Sequence, residues 1–99
     1  GILITENYLD TVTQRLAEDI AEVYVNGEQV NIDAIDIDGH SVIVTTSQEF
    51  FDTDISSRII RDSAGMPIYS SDTTLSTTPN ERISLSIRMN IEVAEGVEE

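Results

Sequence analysis

His40 is the one histidine of this chain, and no cysteine accompanies it. Histidine is the usual general base near neutral pH, so hydrolytic or nucleophilic chemistry would run through this position. His40 directly follows the turn signal Asp38-Gly39, and no Gly-x-Ser-x-Gly elbow occurs anywhere. A serine triad is excluded, and the position reads as a solvent-facing turn histidine. The lack of cysteine removes disulfides, thiolate zinc sites and cysteine nucleophiles together. The acids Asp33, Asp36 and Asp38 ahead of Gly39 look at first like a calcium loop. With Gly39 at the sixth position, however, the first ligand would be Ala34 and the last Thr45. Two readings stand: acids alternating on a solvated strand face, or another kind of calcium site completed by Asp52 and Asp54. Carboxylate pairs for glycoside hydrolysis are always on hand among nineteen acids, so their presence discriminates nothing. No cofactor or small-molecule substrate is expected.

The basic side is more informative. Against the nineteen acids stand five arginines and no lysine, for a formal net charge of −14 over 99 residues. Such a surface repels nucleic-acid phosphate and anionic lipid, which argues against both as partners. No apolar run approaches the roughly 20 residues that span a bilayer. Arg58 and Arg61 flank Ile59-Ile60, and Arg88 falls on the polar face of the last strand. Either these arginines pair with surplus carboxylates inside the chain, or they meet an acidic partner. With so few cations, at least one interface role is expected. Phe50, Phe51 and Tyr69 complete the candidate interface set, since burial of an aromatic against a partner is worth roughly 1.5–3 kcal/mol. Lysine-free acidity also fits adaptation to high salt, where carboxylates favour solubility and salt screens their repulsion.

The elements that position these residues follow from periodicity. Thr5 reads as a helix N-cap with Glu6 in the first turn. Leu9, Val12, Leu16, Ile20 and Val23 recur at three- and four-residue spacing, which predicts an amphipathic helix over 6–22. The rest reads as strand, with β-hairpins over 23–69. Asn26-Gly27 and Asp38-Gly39 mark tight turns, and a slip of phase at Ala34-Ile35 predicts a bulge. A loop is expected around Phe50 to Asp54, then Ile55 to Arg61, a turn at Asp62-Ser63-Ala64-Gly65, and Met66 to Tyr69. The Ser/Thr-rich stretch 70–80, with Pro79, predicts an exposed loop. A long strand over 81–93 places Ile83, Leu85, Ile87, Met89, Ile91 and Val93 on one face, and 94–99 reads as a frayed acidic tail. The whole, 1–99, is one α+β domain: an N-terminal amphipathic helix packed on a mainly antiparallel sheet or small β-sandwich.

In its order of parts the chain resembles tail proteins of tailed phages, in particular fibre-attachment domains and small baseplate components. The likeness lies in Leu3-Ile4-Thr5 opening a helix that ends near Ile20, in the Asn-Gly and Asp-Gly hairpins, and in the segment from Ile59 through Asp62 and Gly65 to Ile68. It covers most of the chain as a pattern and contains no diagnostic motif. The Gly-rich segment usual after the first helix is absent, and no repetitive shaft follows. The resemblance implies a non-enzymatic tail, baseplate, fibre-adaptor or decoration subunit. It would act in the virion, after assembly in the host cytoplasm, by contacts with copies of itself or with other virion subunits. Two other readings stay open: an acidic nucleic-acid mimic that blocks a DNA-binding enzyme, and a calcium-assisted carbohydrate-recognition domain.

The charge alone makes one prediction. Self-repulsion at −14 is screened as the Debye length falls from ~10 Å at 0.1 M salt to ~3 Å at 1 M. The melting temperature should therefore climb across that interval in sodium and potassium chloride alike. A flat profile would defeat the high-salt reading.

Overall fold

The computed structural model describes residues 5–92. Thr5 caps the helix as expected: its backbone is extended and its Oγ1 accepts the Tyr8 N–H at 3.3 Å. The helix α1 covers Glu6–Asp19, three residues short of the sequence expectation. It stops there because Ile20 turns extended, at φ −67° and ψ 119°, and Glu22 already belongs to a strand. Ile20 is buried, while Leu16 and Ala17 pack half-buried against the core. Thr13 is buried beside them, and its hydroxyl donates to the Leu9 carbonyl at 2.7 Å, so no polar atom is stranded.

Two sheets follow. In the first, β1 (Glu22–Val25) and β2 (Glu28–Val30) form a hairpin whose turn residues, Asn26 and Gly27, both have positive φ. That is the geometry a two-residue Asn-Gly turn supplies. β6 (Arg58–Arg61) and β7 (Pro67–Ser71) complete this sheet in the order β2-β1-β6-β7. In the second sheet, β3 (Ile32–Asp38), β4 (Ser41–Phe50) and β9 (Ile83–Asn90) stand in the order β3-β4-β9. The phase slip appears as a register shift between Ile32 and Ala34, which leaves Asp33 as the extra residue. A ribbon of β5 (Asp54–Ile55) paired with β8 (Leu75–Ser76) links the two sheets.

Alternation decides the core. Val23, Val25 and Ile60 from the first sheet and Val42, Val44, Leu85 and Ile87 from the second join Phe50 and Ile55 in one buried cluster. Asn26 ties the hairpin to the chain between β5 and β6. Its Oδ1 accepts the N–H groups of Ser56 and Ser57, and its Nδ2 donates to the Asp54 carbonyl.

Three further boundaries differ from the sequence reading. β4 runs on through Phe50, because a second register shift between Thr45 and Glu49 lets the strand continue past its irregular middle. There the Thr46 hydroxyl accepts the Leu85 N–H at 3.1 Å in place of a ladder carbonyl. The 70–80 stretch is not a free loop: it holds the end of β7 and all of β8. Its Thr77 and Thr78 bond to Thr53 and Asp52 across the ribbon. The long strand is Ile83–Asn90; Val93 and the tail 94–99 lie outside the described residues.

Truncation at Ile60, fully buried at 0 % exposure, should lower stability by about 2–5 kcal/mol as Ile60→Ala. Ile37→Ala, at a residue 51 % exposed, should stay within about 0.5 kcal/mol. Urea unfolding of the two variants checks the placement of the core.

Candidate functional site

The six expected interface residues end up in different places. Phe50 and Phe51 are neighbours on an extended chain, so their side chains point to opposite sides. Phe50 turns inward, 6 % exposed, and pairs with Ile83 in the β4–β9 register; as an interface residue it is corrected to a core residue. Phe51 turns outward at 41 % exposed. The Arg82 guanidinium lies over its ring, 4.1 Å from the centroid. The next residue, Asp52, has a positive φ of 48°, which redirects the chain into the ribbon. Leu75 on that ribbon and Ile83 at the start of β9 are also exposed. Tyr69 is half-buried and packs against the core instead of standing free beside Phe51.

Arg58 is the second correction. It is only 5 % exposed and faces the core side of β6, in line with Ile60. Its Nη2 donates to Ser71 Oγ at 2.7 Å, while the buried Nη1 has no partner. No carboxylate lies within ion-pair distance of it among the described residues. A guanidinium fixed this way is not available to a partner. Arg61, on the opposite face of β6, sits over the Tyr24 ring at 4.9 Å, and its buried Nε is unpartnered. Arg88 is exposed and pairs with Asp38 at 3.3 Å. Internal ion pairing therefore accounts for Arg88 alone of the described arginines. The other two with aromatic neighbours, Arg61 and Arg82, lie on rings.

One groove is present at this end of the molecule. It has a volume of about 280 Å³, with Val25, Val30 and Phe50 as its apolar lining and Glu28, Glu49 and Phe51 around them. Asn26, Gln48 and Thr53 complete the lining, which is more polar than apolar. Phe51 thus belongs both to the groove and to the exposed patch with Arg82, Leu75 and Ile83. Sequence reasoning missed Arg82. The available signal was that the sole arginine near Phe51 in the folded ladder must be the one preceding Ile83, which requires the β4–β9 register to be known.

The chemistry-bearing residues assemble into no reaction centre among the described residues. His40 Nε2 meets Asp10 Oδ1 at 2.9 Å and so pins the β3–β4 turn to the helix. The hydroxyl of the adjacent Ser41 donates to Asn90 and is not aimed at His40. The acids Asp33, Asp36, Asp38, Asp52 and Asp54 form no group of three or more metal-ligating side chains among the described residues. No described helix is long and apolar enough to cross a membrane. No protein-family model, curated protein or solved structure matches the chain.

A buried guanidinium with one neutral hydrogen bond is a liability to the fold. Even a buried ion pair can often be replaced by apolar residues of similar volume at no cost or with a gain of about 1–4 kcal/mol, and this guanidinium lacks the pairing carboxylate among the described residues. Arg58→Met should accordingly raise the urea midpoint. A loss of stability comparable to Ile60→Ala would show that the guanidinium is better satisfied than its contacts indicate.

Proposed function

We propose that this chain is a non-enzymatic assembly subunit of a virion, a tail, baseplate, fibre-adaptor or decoration component of a virus whose host lives in high salt. It would work through contacts with other subunits. The observation that supports this reading is the Phe51–Arg82 pair. In a chain with nineteen carboxylates, an arginine is spent on an exposed phenyl ring. An exposed cation–π contact of this kind is worth only about 0.5–1 kcal/mol and gains strength when a partner excludes water from it. Aromatic residues and arginine are the residue types that dominate interface energies. Leu75 and Ile83 extend the apolar area, and the hydrogen bonds between Thr53 and Thr77 hold the ribbon beneath it in one shape. A pre-shaped patch loses little entropy on docking.

The test is co-expression with the products of the neighbouring genes in about 1 M salt, followed by light scattering on the purified complex. A complex that is lost on Phe51→Asp, with the circular dichroism of the free chain unchanged, supports the reading. Binding that ignores Phe51→Asp, or an absence of any complex with those products, overturns it.

A further inference from the structure

The two main sheets have four edge strands, and three of them are guarded. β2 is three residues long and carries Glu28; β3 carries Asp33, Asp36 and Asp38 with a bulge; β7 begins at Pro67 and its pairing with β6 is irregular. Short length, charge, proline and bulges are the means by which proteins keep strand edges from pairing with other chains. β9 is the least guarded: the extra residues at the register shift in its ladder belong to β4, not to β9. It is eight residues long, contains no proline, and its one charge, Arg88, leans back on Asp38 of its own sheet. From Arg82 to Ile91 there is no acid at all, within a chain of net charge −14.

The register shows which backbone groups β9 leaves open. The Ile91 N–H donates to the His40 carbonyl, and the Leu85 N–H donates to Thr46 Oγ1. Odd-numbered residues of the strand thus turn their backbone groups to β4. By alternation, Ser84, Ser86, Arg88 and Asn90 turn theirs outward, and all four are exposed.

We infer that β9 is the interface between two copies of this chain, which pair antiparallel about a two-fold axis at Ile87. In that register Ser84 faces Asn90 of the second copy and Ser86 faces Arg88. Arg82 faces Glu92, so the nearest opposite charges meet at both ends of the seam. On the inner side Ile83 faces Ile91, Leu85 faces Met89, and Ile87 faces itself, which continues the apolar face of the sheet without a break. Shifting the axis by one residue to Ser86 removes the Arg82–Glu92 match, placing Arg82 opposite Asn90. The axis at Ile87 satisfies about eight backbone groups of each copy along the seam and makes one six-stranded sheet from two three-stranded ones. The ends of the seam, Arg82 and Ile83, adjoin the Phe51 patch, while its centre at Ser86, Ile87 and Arg88 lies outside that patch, so substitutions there test the two surfaces separately.

The absence of cysteine allows a direct test. Ser84→Cys combined with Asn90→Cys places thiols opposite each other between copies, with Cα atoms about 5.5 Å apart, inside the disulfide range. Within one copy the same positions lie about 20 Å apart along the strand, too far to bridge. Oxidation in about 1 M salt should convert the double variant to a covalent dimer and leave each single variant uncrosslinked. Ser86→Pro removes an outward N–H, at a position where an edge strand tolerates proline, together with an exposed hydroxyl contact to Thr45 at 3.3 Å. It should abolish the dimer seen by light scattering, with circular dichroism and binding to Phe51-dependent partners unchanged. A wild-type chain that stays monomeric at high concentration and salt overturns the proposal. So does a dimer that survives Ser86→Pro, or cross-linking by a single variant.

Discussion

Everything else in this protein relies on the shared burial of Val23, Val25 and Ile60 with Val42, Val44 and Ile87 between two sheets. With nineteen carboxylates and five guanidiniums, electrostatics opposes compaction at neutral pH. The described residues offer one arginine–carboxylate bridge, Arg88–Asp38, and it is exposed, so it offsets little of that repulsion. Cohesion rests on a narrow apolar layer made mostly of β-branched residues, whose stiff side chains suit a pleated surface. The helix extends that layer through Ile20, Leu16 and Ala17 and is pinned at its other end by Asp10 on His40. The single histidine thus has a structural explanation within the fold.

The fold was legible where local chemistry and periodicity agreed. Thr5, Asn26-Gly27 and Asp38-Gly39 name their own conformations, because few residues cap a helix or accept positive φ at low cost. The even alternation from Ile83 to Met89 needs only a sheet to lie on. What was not legible depended on register. Phe50 keeps the inward phase of Val42, Val44 and Thr46, because the two extra residues in the middle of β4 preserve a two-residue period; what the sequence hid is that the strand runs that far. The slip near Ala34 was visible because it breaks an alternation; the one between Thr45 and Glu49 sits among Thr, Ser and Gln, which alternate with nothing.

The candidate site was harder to see for the same reason. Arg58 looked like a surface arginine because arginines are rarely buried without a carboxylate, yet the two-residue period of β6 carries it to the core side with Ile60. Arg61, three residues on, falls on the other face and onto Tyr24. The segment 70–80 looked free because Ser, Thr and Pro mark loops. Those same hydroxyls, Thr77 above all, bond back to Thr53 and turn the segment into a ribbon. Short polar strands of two residues carry no hydrophobic pattern, so only the pairing itself reveals them.

The distribution of charge then bears on assembly as much as on solubility. Acids placed on β2 and β3 keep those edges solvated and mutually repelling, whatever the salt does to their range. Of the edge strands, β7 and β9 contain no acid; β7 is five residues long and begins at Pro67, so β9 is the one long edge on which another strand can settle without bringing carboxylates together. High salt sharpens this choice. It weakens the general repulsion between copies at long range, while leaving unchanged the short-range desolvation of carboxylates that pairing at β2 or β3 would have to bury. The acidity that keeps the chains apart in dilute salt is therefore also what leaves them one edge on which to meet.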